Sequence, residues 1–175
     1  MLVHLLYTSR CAQPPGAQQL EEIFTSGARR NHEHGITGVL CVHAEQRLNI
    51  QLLEGGRDAV SRLHRNLMND PRHLDVTLLH FSEIAERRFA AWQMGYVDLM
   101  RVNPRIILRY FQMPTLQPES MPGSATLGLL EEVMAAAAVV AYRDPRAGRQ
   151  AERSLGSTEP AGSTVGTAFG TPPTH

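Results

Sequence analysis

Three polar residues stand inside apolar stretches of this sequence, where buried side chains would need hydrogen-bonding partners. Tyr7 ends the mostly apolar run at residues 2–7, Gln51 lies in the middle of the apolar run at residues 48–53, and Asn31 lies near the end of a predicted helix. A phenol is oxidisable and carries a proton, and a carboxamide both donates and accepts hydrogen bonds. These residue types suit hydrogen-bond and proton chemistry.

Each of these residues also has a simpler interpretation, which the sequence leaves open. Gln51 can be a solvent-facing residue of an edge strand, since strand alternation places it on one face with Asn49 and Leu53. Tyr7 can end its strand with its hydroxyl in water. Asn31 can be an ordinary residue of a helix C-terminus, because Asn and Gly suit left-handed caps.

Other catalytic signatures are absent from the sequence. His32 and His34 are two residues apart with no Glu or Cys at ligand-like spacing, so no metal site is predicted. No serine stands in a Gly-x-Ser-x-Gly turn, and Cys11, in a predicted loop, belongs to no nucleophile motif. Residues 53–57 lack the lysine of a P-loop and the spacing of a dinucleotide-binding loop. Covalent catalysis is therefore not predicted.

The composition limits the classes of protein to which the chain can belong. Its 175 residues support one core-forming domain, and its formal net charge of +0 argues against a nucleic-acid-binding face. No stretch approaches the roughly 18 apolar residues of a membrane span, and no secretion signal is recognisable. Two cysteines do not predict a disulfide framework. We expect a cytoplasmic protein that binds neither nucleic acid nor membrane.

Apolar periodicity predicts alternating strands and helices along residues 1–97. The predicted elements are a strand at 2–7, a helix around 20–28, strands at 36–42 and 48–53, a helix at 60–68, and strands at 74–81 and 89–97. This order, β-α-β-β-α-β-β, indicates an α+β fold of ferredoxin-like arrangement, because each helix supplies a crossover and the central strands form a hairpin.

The remainder of the chain is predicted to contain a helical extension at residues 98–143 and a disordered tail at residues 144–175. Two helices are expected at 104–111 and 127–140. The tail is rich in Gly, Ser, Thr, Ala and Pro and cannot offset its ordering entropy by burial. The last helix is apolar nearly all round, which predicts burial on several sides and hence a homo-oligomer.

Five short segments occur together in an order that is far more specific than any one of them. They are residues 6–9, 31–40, 51–55, 70–73 and 89–94. In them the sequence resembles the BLUF family, the blue-light sensors that use FAD, over residues 2–97. Residues 110–111 and 116–121 look like the two-helix extension of the short, single-domain members.

The resemblance implies a flavin bound between the two helices of the core. It assigns cofactor contacts to eight residues: Tyr7, Ile23, Asn31, Gln51, Leu67, Arg72, His73 and Met94. Ile23 and Leu67 would contact the faces of the ring, and Asn31 would hydrogen-bond its polar edge. Cationic donors at Arg72 and His73 would favour the ribityl and diphosphate end.

The resemblance also implies a light response that turns over no substrate, so we do not expect an enzyme. Tyr7 and Gln51 match the photochemical pair, in which an electron and a proton leave the tyrosine through the glutamine. Trp92 and Met94 match a signal relay, although core packing is the simpler interpretation of Trp92. A homo-oligomer or a separate downstream protein would receive the signal.

Departures from the family pattern leave other functions open. Asn49 stands where members usually carry an aromatic residue, the turn at 43–46 lacks the usual glycine, and Asn66 replaces a basic residue. These differences predict altered flavin affinity and kinetics. The alternatives are a small-molecule-binding regulatory domain without photochemistry and an acylphosphatase-like hydrolase, which Arg10 and Asn31 suggest.

Overall fold

A six-stranded sheet with helices on both faces is the central feature of the computed structural model, which describes residues 1–13, 16–90, 94–113, 115–136 and 140–141. Its elements are β1 (Leu2–Cys11), α1 (Ala17–Glu33), β2 (Thr37–His43), β3 (Leu48–Gly56), α2 (Arg57–Met68), β4 (His73–Ile84), β5 (Gly95–Asp98), α3 (Pro104–Leu108), α4 (Gly123–Ala136) and β6 (Val140–Ala141). Short 3₁₀ turns lie at Leu99–Arg101 and Pro118–Ser120. The predicted tail and Trp92 lie outside the described residues.

The strand order is β4-β1-β3-β2-β5-β6, with β1 and β3 antiparallel at the centre. β2 and β3 form the predicted hairpin, and β5 runs parallel to β2. This arrangement confirms the predicted ferredoxin-like α+β fold. None of the helices among the described residues is long and apolar enough to cross a membrane.

Strand alternation gives the two faces of the sheet different tasks. On one face, Leu5 and Leu53 pack with Val60 of α2, and Leu40 packs with Ala28 of α1. On the other face, a larger apolar core joins the sheet to α3 and α4. Its fully buried members are Leu6, Val39, Cys41, Leu48, Ile50, Leu52, Val97, Leu116, Leu129, Leu130 and Val133. The face of α1 and α2 carries the buried polar pair Tyr7 and Gln51.

Two predictions of local structure are wrong. Cys11 lies in no loop: it is buried at the end of β1, where its N–H donates to the carbonyl oxygen of Arg47 at 2.7 Å. The fifth strand begins only at Gly95. The backbone N–H groups of Arg88 and Phe89 instead donate to the buried carboxylate of Glu54, at 3.2 and 3.0 Å. That carboxylate takes the place of a strand partner.

The C-terminal segment also differs from its prediction. α4 ends at Ala136, and Val140 pairs as a strand residue with Tyr96 of β5. The buried apolar residues of α4, Leu129, Leu130, Val133 and Met134, pack into the protomer's own core. The large apolar residues of α4 that the structure describes therefore pack within the chain, and the homo-oligomer stays a prediction.

Two glycines of α4 allow a matched test of how the helix docks. A Cβ at Gly123 would lie 1.9 Å from the carbonyl oxygen of Leu79 on β4, whereas one at Gly128 would meet only the Tyr110 hydroxyl at 3.5 Å. We expect Gly123→Ala to lower the free energy of unfolding by about 1–3 kcal/mol through overpacking. Gly128→Ala should raise it by roughly 0.5–1 kcal/mol, because Ala is the better helix former. Equal effects in urea titrations would contradict this docking.

Candidate functional site

Tyr7 and Gln51 form a buried pair at the centre of the sheet. They face each other in the antiparallel register of β1 and β3, and the Tyr7 hydroxyl donates to Gln51 Oε1. Tyr7 is 0% exposed and Gln51 5% exposed, because β3 lies between β1 and β2 with α2 above. The alternatives of a phenol in water and a solvent-facing edge residue are therefore wrong.

The other end of the Gln51 amide is also engaged. Its Nε2 donates to the Sδ of Met94 at 3.5 Å, and Met94 is buried directly before β5. The oxygen of the amide thus faces a donor, and its nitrogen faces an acceptor. This pattern fixes one orientation of the amide, since the reverse would set its oxygen against a sulfur that can only accept.

Burial holds Tyr7 in its neutral form. Removal from water raises the pKa of Tyr7 well above its ordinary value of 10.0, and the nearby carboxylate of Asp70 raises it further. The ring of His64 on α2 packs edge-on against Tyr7, with centroids 5.5 Å apart. The phenol is therefore a protonated donor at neutral pH, in contact with His64 of α2 and hydrogen-bonded to Gln51 of the adjacent strand.

A cavity of about 470 Å³ lies between α1 and α2, with Gln51 at its base. Six of the eight predicted cofactor residues line it: Asn31, Gln51, Leu67, Arg72, His73 and Met94. Tyr7 lies beneath it, in contact with Gln51. Ile23 belongs to α1, and its side chain lies outside the described residues. The structure therefore brings seven of the eight sequence-predicted cofactor residues together, and the contact of Ile23 stays a prediction.

Asn31 occupies a buried position near the end of α1 and is only 3% exposed. Its carbonyl oxygen accepts from the N–H of Ile36 at 2.7 Å, which closes the turn that leads into β2. Gly35 in that turn has a φ of +62°. The left-handed position after the helix thus belongs to Gly35, and Asn31 contributes its side chain to the cavity wall.

The cavity has apolar walls and a cationic rim. Ile36 and Leu40 line it from the sheet side, and α2 contributes an i, i+4, i+8 stripe consisting of Ala59, Leu63 and Leu67. Positive charge comes from three arginines, Arg30, Arg62 and Arg72. A flat apolar ring fits such walls, and an anionic group fits such a rim.

Asp70 is the acidic member of the lining, and Arg72 compensates it. Its carboxylate accepts from Arg72 Nε at 2.9 and 3.0 Å. These hydrogen bonds lower the pKa of Asp70 to about 2. Burial lowers the pKa of the neighbouring His73, so that its ring is neutral near pH 7. The lining therefore keeps a surplus of positive charge.

Sequence reasoning identified Leu67 as a cavity residue but missed Arg30, Arg62 and the other two members of the α2 stripe, Ala59 and Leu63. The stripe was visible as apolar residues at helical spacing, which predict burial but not a cavity. The two arginines resemble ordinary exposed helix residues. The acylphosphatase-like alternative, which required Arg10 and Asn31 to lie at one site, is not favoured. Arg10 pairs with Glu119 at 3.3 Å and does not line the cavity that contains Asn31.

Comparison with known proteins supplies an independent line of evidence. The sequence profile described as "BLUF: Sensors of blue-light using FAD" matches residues 2–95. The chain is 40% identical over 86 residues to the photoactivated adenylate cyclase subunit beta of Euglena gracilis, covering 49% of this chain and 10% of that protein. It is 31% identical over 99 residues to the blue light- and temperature-regulated antirepressor BluF of Escherichia coli, covering 57% and 24%.

Solved structures show the same similarity. BlsA in its photo-activated state matches with a TM-score of 0.68 and 28% identity, over 82% of this chain and 100% of that chain. BlrB, a BLUF protein in its dark state, matches with a TM-score of 0.62 and 28% identity, over 77% and 96%. The chain spans a quarter or less of the length of the two curated relatives named above.

The raised pKa of Tyr7 predicts how stability depends on alkaline pH. A pKa that is higher in the folded state gives stability that is present below the unfolded value near 10 and is lost as pH rises above it. We expect Tyr7→Phe to lose this dependence, about 1.4 kcal/mol per pH unit. Denaturant titrations between pH 8 and 11 measure it. Tyr110→Phe, the control, removes a less buried phenol and should change the pH dependence of the free energy of unfolding less. If the free energies of wild type and Tyr7→Phe changed in parallel with pH, the buried phenol would be contradicted.

Proposed function

Because the chain belongs to the BLUF family, the sensors of blue light using FAD, we propose that its cavity holds FAD and that Tyr7, Gln51 and Met94 carry out the response to light. The observation that carries this proposal is the hydrogen-bonded series from Tyr7 through the Gln51 amide to Met94 at the base of the cavity. Each of these three side chains can exchange its hydrogen-bonding partner while its covalent structure stays the same.

The residues of the cavity divide into those that hold the ring and those that hold the charged end. Leu63 and Leu67 of α2, together with Leu40, would hold a planar ring, and the Asn31 carboxamide could pair with a ring edge that presents both N–H and C=O groups. Arg72 and its neighbours on the rim favour a diphosphate. When bound, FAD supplies the absorption of blue light and the acceptor for one electron.

Tyr7 is the donor of the electron and of the phenolic proton. The proton leaves along the existing hydrogen bond to Gln51 Oε1, and its return together with the electron restores the neutral phenol. No substrate is consumed in this cycle. What persists is the Gln51 amide with its donor and acceptor faces exchanged, a change that costs little steric energy because the two faces have nearly the same shape.

Exchange of the amide faces would release Met94. The Gln51 oxygen would then face the thioether sulfur, which cannot donate, so the 3.5 Å contact loses its hydrogen bond. Met94 leads directly into β5, and the 3₁₀ turn after β5 places Leu99 in the core on the opposite face. This continuity supports Met94 as the relay residue; Trp92 stays a prediction.

The output is proposed to be a protein partner, either a second copy of the chain or a separate downstream protein. Among the relatives, one is by name an antirepressor and another is a subunit of an adenylate cyclase, so sensing of this kind is coupled to different outputs. A cytoplasmic location, a sensor domain at 1–97, a helical extension at 98–143 and a disordered tail at 144–175 remain parts of the proposal.

Gln51→Leu separates cofactor binding from photochemistry. An apolar residue of similar size keeps the cavity floor but cannot exchange hydrogen-bond faces, so we expect bound FAD and no light-induced shift of its absorption. Spectra before and after blue illumination measure this shift. Gln112→Leu, an exposed substitution of the same type, should behave as wild type. A normal shift in Gln51→Leu would contradict the role, and a wild-type protein that neither retains nor rebinds FAD would contradict the function.

Asn31→Ala tests the binding of the polar edge. Removal of one buried partner should weaken FAD affinity by on the order of 1–3 kcal/mol, or about 5- to 150-fold. Fluorescence titration of apoprotein measures the affinity. Asn69→Ala, an exposed position at the end of α2, serves as the matched control and should leave it unchanged. Equal affinities for Asn31→Ala and wild type would show that Asn31 serves only the turn after α1.

A further inference from the structure

A second polar pair lies beside Tyr7 and Gln51 on the same face of the sheet. Ser9 of β1 and Asn49 of β3 are register partners, two residues along from Tyr7 and Gln51. Ser9 is 1% exposed and Asn49 6% exposed. Polar side chains buried at such a position need partners, and theirs do not include Tyr7 or Gln51 in the hydrogen bonds that the structure describes.

The hydrogen bonds of this pair run in one direction. Cys11 Sγ donates to Asn49 Oδ1 at 3.3 Å, and Asn49 Nδ2 donates to Ser9 Oγ at 3.5 Å. Ser9 Oγ lies 3.0 Å from His73 Nδ1. A hydroxyl oxygen can accept two hydrogen bonds, so the bond from Asn49 does not by itself direct this contact. Among the contacts described, however, His73 Nδ1 is the one acceptor for the buried proton of Ser9. We call Cys11, Asn49, Ser9 and His73 the side-chain series.

The direction of the series determines the state of the His73 ring. The pKa of His73 is lowered by burial and by Arg72, against the opposing effect of Asp70, so the ring is neutral near pH 7 and carries one proton. With Nδ1 accepting from Ser9, that proton resides on Nε2. His73 lines the cavity next to Arg72, at the start of β4.

We propose that Asn49 and Ser9 are positioning residues that hold His73 in its Nε2–H tautomer, so that the cavity offers a neutral donor to an acceptor oxygen on the ribityl-diphosphate chain of the cofactor. The cofactor half of this inference rests on the proposed function. The tautomer half rests on the side-chain series and on the neutral ring of His73, and it requires no cofactor. A neutral donor of fixed orientation complements the cationic rim, where the guanidinium of Arg72 is already hydrogen-bonded to Asp70.

Asn49→Asp reverses the series with almost no change of shape. A carboxylate can only accept, so Ser9 must donate to residue 49 and accept from His73, which places a proton on Nδ1. Ser9→Ala removes the link and should leave a mixture of tautomers. Thr8→Val is the matched control, because Thr8 donates to the backbone oxygen of Asn49 at 2.9 Å and has no contact with the His73 ring among those described.

Nitrogen NMR of ¹⁵N-histidine protein reads the tautomer directly, with the His73 signals assigned by their loss in His73→Gln. At pH 8 the apoprotein should show protonated Nε2 and bare Nδ1 in wild type and Thr8→Val. Protonated Nδ1 is expected in Asn49→Asp. A wild-type proton on Nδ1, or one pattern in all variants, would overturn the inference. Because no flavin is present, this result stands apart from any failure to bind FAD.

Affinity measurements test the cofactor half. Ser9→Ala should weaken FAD binding roughly five- to tenfold, the loss expected for one hydrogen bond, while its light-induced absorption shift persists. Riboflavin, which lacks the phosphates, separates the acceptors: an equal loss assigns a ribityl hydroxyl, and no loss assigns a phosphate oxygen. An altered tautomer with unchanged FAD affinity would overturn the assigned contact while leaving the proposed function intact.

Discussion

The hydrogen bond between the Tyr7 phenol and the Gln51 amide is the constraint on which the site depends. Each group is buried in a sheet face, where an unpartnered polar atom costs about 1–3 kcal/mol. The antiparallel register of β1 and β3 satisfies both at once. A slip of one residue would turn one of the two side chains to the opposite face and set a sequence neighbour in its place, either Leu6 or Thr8 on β1 or Ile50 or Leu52 on β3. Register and chemistry are therefore specified together.

The two faces of the sheet explain how a small domain tolerates a polar centre. The core beneath α3 and α4 is large and apolar, and it holds β1, β2 and β3 in place. On the other face, the chain keeps a cavity of about 470 Å³, and the strands β1 and β3 contribute four buried polar side chains to that face, Tyr7, Gln51, Ser9 and Asn49. A ligand that fills the cavity stabilises the folded state by mass action. The apolar core on one face thus stabilises a sheet whose other face carries the cavity and its polar side chains.

The sequence predicts the fold because apolar alternation, turn residues and helix spacing agree through β4. It does not contain the register that sets Tyr7 against Gln51, since no local pattern specifies which residues of two strands face each other. For a related reason, the sequence does not predict that β1 extends as far as Cys11. This residue belongs to the strand only because it pairs with β4 and because its N–H donates to Arg47. Arg30 and Arg62 become cavity residues only when the two helices flank the same space.

The most direct test of the account follows the Gln51 amide itself during illumination. Infrared difference spectra of protein labelled in its glutamine carbonyls report only the groups that change between dark and light. The account predicts a labelled carbonyl band that shifts as the absorption of FAD shifts, that decays with it, and that is absent from Gln51→Leu. An absorption shift with no labelled carbonyl change would contradict a light response based on exchange of the amide faces.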